Sequence, residues 1–106
     1  MMTIEVWYDL LKELTENTDY DVIMKDQIKN PVVAIVPKWR ETPQRIAIYP
    51  KKTKNAGLVL EDDIYSHSRI NDLAGDADRI HSNRPHFNHV EDEVIIEICK
   101  IFLMKD

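Results

Sequence analysis

The sequence predicts an α+β domain: a three- to four-stranded antiparallel sheet, run as a meander, packed by an N-terminal and a C-terminal helix. Three observations predict it. Amphipathic stretches of helical period stand near both ends of the chain, over 4–16 and 89–104. Between them lie short apolar runs punctuated by Pro and Asn, the pattern of strands and turns. The 106 residues leave room for one core, since domains run to roughly 100–150 residues, so 1–106 reads as a single domain.

Each element has its own warrant. Ile4, Trp7, Leu11 and Leu14 recur at helical spacing with Leu10 beside them, and Glu5, Asp9, Glu13 and Glu16 take the opposite face. Thr3 is the expected N-cap, acids fill the turns favoured by the helix dipole, and Asn17–Asp19 ends the helix. Trp7, a large aromatic on the apolar stripe, reads as a core anchor. Tyr20–Lys25 alternates, with Tyr20, Val22 and Met24 on one face. Val32–Val36 is apolar throughout, as in a central strand covered on both faces. Arg45–Tyr49 alternates again, and Arg40–Gln44, which contains Pro43, reads as the hairpin loop before it. Pro37 and Pro50 lack the N–H that a ladder needs and mark strand ends. A short fourth strand is expected at Leu58–Leu60, after Gly57.

Ile70, Leu73, Ala74, Ala77 and Ile80 fall at helical spacing, which predicts an extra helix over 69–80 despite Gly75. Ser82–Asn88, with Pro85 and two Asn, reads as a loop. Asn88 and Glu91 have the spacing of a helix start, and Val94, Ile95, Ile98, Cys99, Ile101 and Phe102 form a wide apolar stripe for the last helix.

Composition excludes several classes. With 43% hydrophobic and 31% charged residues the chain is neither disordered nor collagen-like. The single cysteine, Cys99, forbids an intrachain disulfide and reads as a small core residue, which fits a reducing, cytoplasmic setting. The N-terminal segment lacks the basic and apolar regions of a signal peptide, and no apolar run is long enough to span a bilayer, so no membrane is expected. The net charge of −5 is uneven. Residues 1–24 hold one Lys against six acids, 25–54 hold eight basic residues against two acids, and 55–106 hold five against eleven. A basic middle lies between acidic ends.

Three constellations carry potential chemistry. The basic middle places Lys38, Trp39 and Arg40 at one end of the central strand, and Arg45, Tyr49, Lys51, Lys52 and Lys54 in and beyond the next. Cations with interleaved aromatics suit phosphates and bases, although edge lysines also guard sheets against aggregation. The acidic clusters Glu61, Asp62, Asp63 and Asp72, Asp76, Asp78 suit a basic partner surface, or serve solubility alone.

The four histidines, His67, His81, His86 and His89, lie in the second half. His81, His86 and His89 are weak candidates for metal ligation, and no metal site is assigned. Two His with an Arg also supply the parts of a nuclease. Arg84 to His89 has the Arg-x4-His spacing of some helical ribonucleases, but Pro85 follows the Arg and the chain reads as α+β. Two glycines exclude a Gly-rich phosphate loop, and Ser66 and Ser68 beside His67 do not make a triad.

The expectation is a small non-enzymatic, cofactor-free interaction or regulatory protein whose partner is another protein. Inhibitors and accessory proteins of phages and mobile elements are domains of this kind. Nucleic-acid binding through the hairpin 38–54 is the first alternative, and a His-based metal site or nuclease the second. Exposed strand edges leave a homodimer open.

Overall fold

A computed structural model describes residues 2–106. Its elements are α1 (Ile4–Leu14), β1 (Tyr20–Lys25), β2 (Val32–Pro37), β3 (Ile46–Pro50), β4 (Asn55–Leu60), α2 (Asp62–Tyr65), α3 (Ser68–Ala74), β5 (Arg79–His81), β6 (Arg84–Glu91) and α4 (Asp92–Phe102). The class is α+β with an antiparallel sheet, as expected, but the sheet has six strands rather than three to four. Their order is β1-β2-β3-β4-β6-β5. The first four strands are the predicted meander. The chain then leaves through α2 and α3, and returns as a β5–β6 hairpin whose second strand pairs with β4.

Side-chain alternation divides the sheet into two unlike faces. On one, Val22, Val33, Ile35, Ile46, Ile48, Leu58, Leu60, Phe87 and Val90 meet the apolar stripes of the helices. Trp7 and Leu11 of α1, Ile70 of α3 and Ile95, Ile98 and Cys99 of α4 are almost wholly buried there. Burial of the Cys99 thiol pushes its pKa up to about 12, so it is an inert core group. On the other face a smaller cluster of Val32, Ala34, Ala47 and Val59 packs against Ile23 and Tyr49, with no helical residue in it. No helix packs on that face, called the open face below, although Ala34 and Ala47 at its centre are almost wholly buried; β2 is buried along its apolar run because it contributes to both clusters.

Caps and breakers explain most boundaries. The Thr3 hydroxyl accepts a hydrogen bond from the Val6 amide, the predicted N-cap of α1. The Thr15 hydroxyl donates back to the Leu11 carbonyl at 2.8 Å where the helix ends. β3 begins at Ile46, leaving Arg45 in the loop, and β4 extends back to Asn55.

The predicted helix over 69–80 is corrected. α3 stops at Ala74 because Gly75 takes φ 72°, a conformation open to glycine, and residues 79–81 form β5 instead. Ile80, assigned by spacing to the apolar stripe of that helix, is 69% exposed on this edge strand. The loop expected over Ser82–Asn88 is mostly strand β6. Only Ser82 (φ 53°) and Asn83 (φ 61°) are turn, a two-residue connection of the type that matches strand twist. The last helix starts at Asp92 rather than 89, with Glu91 as N-cap, so Asn88 caps nothing and lies within β6.

The two tryptophans sit in opposite environments. Trp7 is fully buried, and its indole N–H lacks a partner among the described residues, whereas Trp39 is 87% exposed. Trp7→Ala should therefore cost about 3–5 kcal/mol of unfolding free energy through the cavity it leaves. Trp39→Ala should stay within about 0.5 kcal/mol. Urea denaturation of the two variants checks both values.

Candidate functional site

A row of directly paired residues crosses the open face. It runs Ile23–Ala34–Ala47–Val59–His86–Arg79, one residue from each strand in sheet order. It begins apolar and ends basic. His81 pairs with Arg84 in the neighbouring position of the β5–β6 hairpin, which puts Arg79, His81, Arg84 and His86 together.

A bulge follows them in β6. Leu58 pairs with Phe87 and Ala56 with Val90, so Asn88 and His89 both lie opposite Gly57. Under unbroken alternation Phe87 and Val90, three residues apart, would point to opposite faces; the bulge lets both enter the helix-side core. His86 then takes the open face. Asp78 clamps the same region: its amide donates to the His86 carbonyl at 2.9 Å, and its carboxylate accepts from the Asn88 amide at 2.6 Å. Gly57 pairs with Tyr49, and a Cβ on it would lie 3.3 Å from the Tyr49 Cβ. A side chain there would crowd Tyr49, so the glycine lets the tyrosine sit beside the bulge.

Two adjoining depressions result. One, of ≈ 270 Å³, is walled by Tyr49, Lys51, Arg79, His86 and Asn88, with Gly57 and Val59 at its base. The other, of ≈ 510 Å³, lies between the loop residues Thr42–Gln44 and the hairpin residues His81, Ser82 and Arg84. Both share Tyr49, Val59 and His86. No Asp or Glu lines either one, in a chain with 19 acidic residues.

The cations are held differently. Arg79 brings Nη2 to 3.5 Å from Nδ1 of His86. Lys51 donates to the Asn88 carbonyl and stands 3.4 Å from Nδ1 of His89. Arg84 is tied down, donating to the Gln44 carbonyl at 2.6 Å and pairing with Glu61 at 3.4 Å. The His86 pKa is lowered from its ordinary 6.5, first by burial and then by the positive charges of Arg79, His81 and Arg84. The depression it walls is lined by two cationic side chains, Lys51 and Arg79, and by no carboxylate.

The remaining candidates scatter. Lys38, Trp39 and Arg40 lie in the β2–β3 loop, with the Lys38 amine 5.6 Å from the Trp39 ring centroid. Lys51, Lys52 and Lys54 lie in the β3–β4 turn at the other end of β3, so the basic hairpin is not one continuous patch. Among the described residues, Arg45 alone of the eight basic residues in 25–54 makes an ion pair. Its partners are Glu61 at 2.7 Å and Asp63 at 3.0 Å, so these two acids bind within the fold rather than standing free. Asp62 is exposed in the first turn of α2. Asp72 and Asp76 are exposed on and after α3. His67 is the exposed N-cap residue of α3, away from the hairpin. No three His, Cys, Asp or Glu side chains converge as metal ligands among the described residues. His81 and His86 are neighbours, whereas His89 stands on the bulge beside Lys51. No helix is long and apolar enough to cross a membrane among the described residues.

Arg79 is the residue that sequence reasoning missed. The signal was Arg-Ile-His, Ser-Asn, Arg-Pro-His: two Arg-x-His triplets flanking a two-residue turn. The period of two puts all four polar side chains on one face of such a hairpin.

The lowered His86 pKa has a definite sign. Between the folded pKa and 6.5 the unfolded chain binds more protons, so this group makes stability fall as pH drops through that window. NMR titration should place the His86 midpoint below 6.5. Added inorganic phosphate should raise it, because an anion offsets the charges of Arg79 and Arg84. A midpoint indifferent to phosphate would count against an anion in this depression.

Comparison with protein-family models, with curated proteins and with solved structures finds no match for this chain, so the chemistry of the open face carries the functional argument.

Proposed function

We propose that this protein binds single-stranded nucleic acid across the open face of its sheet. The carrying observation is the pair of acid-free depressions, joined at Tyr49 and His86, in a chain of net charge −5. Lys51 and Arg79 are the phosphate ligands. Tyr49 and His86 offer rings to bases, and Ala47 and Val59 give an apolar floor. Side-by-side depressions suit successive nucleotides of a flexible strand. A duplex keeps its bases stacked inside and offers them to neither ring.

The test is fluorescence anisotropy with a labelled mixed-sequence single strand and its duplex at several salt concentrations. The single strand should bind better, and its affinity should fall with a log–log slope of about −0.7 per phosphate contacted. Lys51→Ala and Arg79→Ala should each weaken binding about 10-fold, the loss of one charge-assisted contact. Arg40→Ala, at the far end of β3, should not. Equal affinity for single strand and duplex, or no effect of the two site substitutions, overturns the proposal.

One observation favours a second reading, contact with a protein. Trp39 is 87% exposed at φ 68° in the β2–β3 loop, flanked by Lys38 and Arg40. An exposed Trp beside cations has the character of an interface anchor. On this reading the wild type retains a partner after nuclease treatment that Trp39→Ala does not, as read by pull-down and mass spectrometry.

A further inference from the structure

We infer that His81 and His86 form an acid–base pair that cleaves single-stranded RNA without a metal ion. The inference rests on the proposed binding of a single strand to the open face and adds a reaction to it. The two rings lie on neighbouring strands with centroids 6.2 Å apart and planes at 78°. They stand to either side of a shared wall: His86 borders both depressions and His81 borders the larger. A phosphate held by Arg79 lies within reach of both imidazoles, because Arg79 is adjacent to His86 across the strands and two residues from His81 along its own.

The chemistry needs only these groups. One imidazole takes the proton of the ribose 2′-hydroxyl as its oxygen attacks phosphorus. The P–O5′ bond breaks, and the second imidazole, as its imidazolium, gives a proton to the leaving 5′-oxygen. One P–O bond forms and one breaks, one proton is taken and one delivered, and nothing is oxidised or reduced. The products are a 2′,3′-cyclic phosphate and a 5′-hydroxyl. Arg79 and Lys51 offset the charge that builds on the phosphoryl oxygens.

Surroundings assign the roles. His86 is faced by Arg79 and His81 from β5, by Arg84 on its own strand, by the uncharged Val59 from β4, and by Tyr49 and Lys51 across the smaller depression. That company, with partial burial, keeps its imidazole neutral near pH 7, the state a base requires. With Nδ1 turned toward Arg79, Nε2 is left for the 2′-hydroxyl. His81 is exposed on the edge strand, which leaves it the role of the acid. DNA lacks the nucleophile and is bound without being cut.

The experiment incubates the wild-type chain in EDTA with a labelled single-stranded RNA, the same sequence as DNA, and its 2′-O-methyl form. Anisotropy reads binding, and gel electrophoresis with end-group analysis reads cleavage, between pH 5 and 8. All three strands should bind, with only the RNA cut, to 2′,3′-cyclic phosphate and 5′-hydroxyl ends, on a bell-shaped pH profile. His81→Ala and His86→Ala, purified alongside and matched to wild type by thermal melting, should each lower the rate by at least about 100-fold. RNA that binds and stays intact overturns the cleavage inference alone. Failure of all three strands to bind overturns the binding proposal and the inference with it. Cleavage at the wild-type rate in both variants, or cleavage abolished by EDTA, also overturns the inference.

Discussion

The pairing of β6 with β4 is the contact on which both faces of the sheet depend. β1 to β4 form by local hairpins, each strand meeting the one before it. β6 must find β4 across the α2–α3 excursion, and the loop entropy of that closure has to be repaid by the contacts it makes. The repayment is on the helix side. Phe87 and Val90 enter the core beside Leu58 and Ala56, and Tyr65 of α2 packs edge-on against Phe87 with centroids 5.5 Å apart. Two aromatic rings in that geometry add to what burial contributes. The open face is then a consequence, since fixing Phe87 inward fixes His86 outward.

The bulge reconciles two demands on one strand. β6 has to leave the sheet and turn into α4, whose Ile95, Ile98 and Cys99 complete the core. An unbroken alternation from Phe87 would send Val90 to the open face and start the helix on the wrong side. The extra residue at Asn88–His89 corrects the phase. Gly57 opposite, with Lys51 reaching over to the Asn88 carbonyl, accommodates the widened strand. Bulges commonly re-aim side chains at functional sites, and here the re-aimed residues are Asn88 and His89, next to His86.

Legibility in the sequence follows from how local each determinant is. α1 could be read because Ile4, Trp7 and Leu11 keep helical spacing over three turns, and β2 because five apolar residues in a row need cover on two faces. The β5–β6 hairpin resisted reading for three physical reasons. β5 is an exposed edge strand of three residues with no buried alternation. The bulge puts Phe87 and Val90 three apart, a helical spacing inside a strand. Ile80, at helical distance from Ile70 and Ala77, is solvent-facing and pairs with Pro85. The basic half of the site, Tyr49 and Lys51, was visible as part of the hairpin 38–54. Its other half was not, because only the long-range β4–β6 register brings Arg79, His81 and His86 to it.

Charge is the property that folding reorganises most. Along the sequence the positive charge lies in 25–54, between acidic ends. In the fold the charges regroup. Glu5, Asp9 and Glu13 are exposed on α1, on the helix side of the sheet, and Glu61 and Asp63 are drawn into pairs with Arg45 and Arg84. The open face keeps Lys51 and Arg79 with two imidazoles and no carboxylate in its depressions. An acidic chain with a concavity lined by cations and free of carboxylates repels a polyanion elsewhere more than there. The net charge of −5 therefore does not oppose a nucleic-acid ligand. On the proposed reading it favours one orientation of encounter, with the strand laid across Tyr49 and His86, beside the Lys51 and Arg79 that folding brings together.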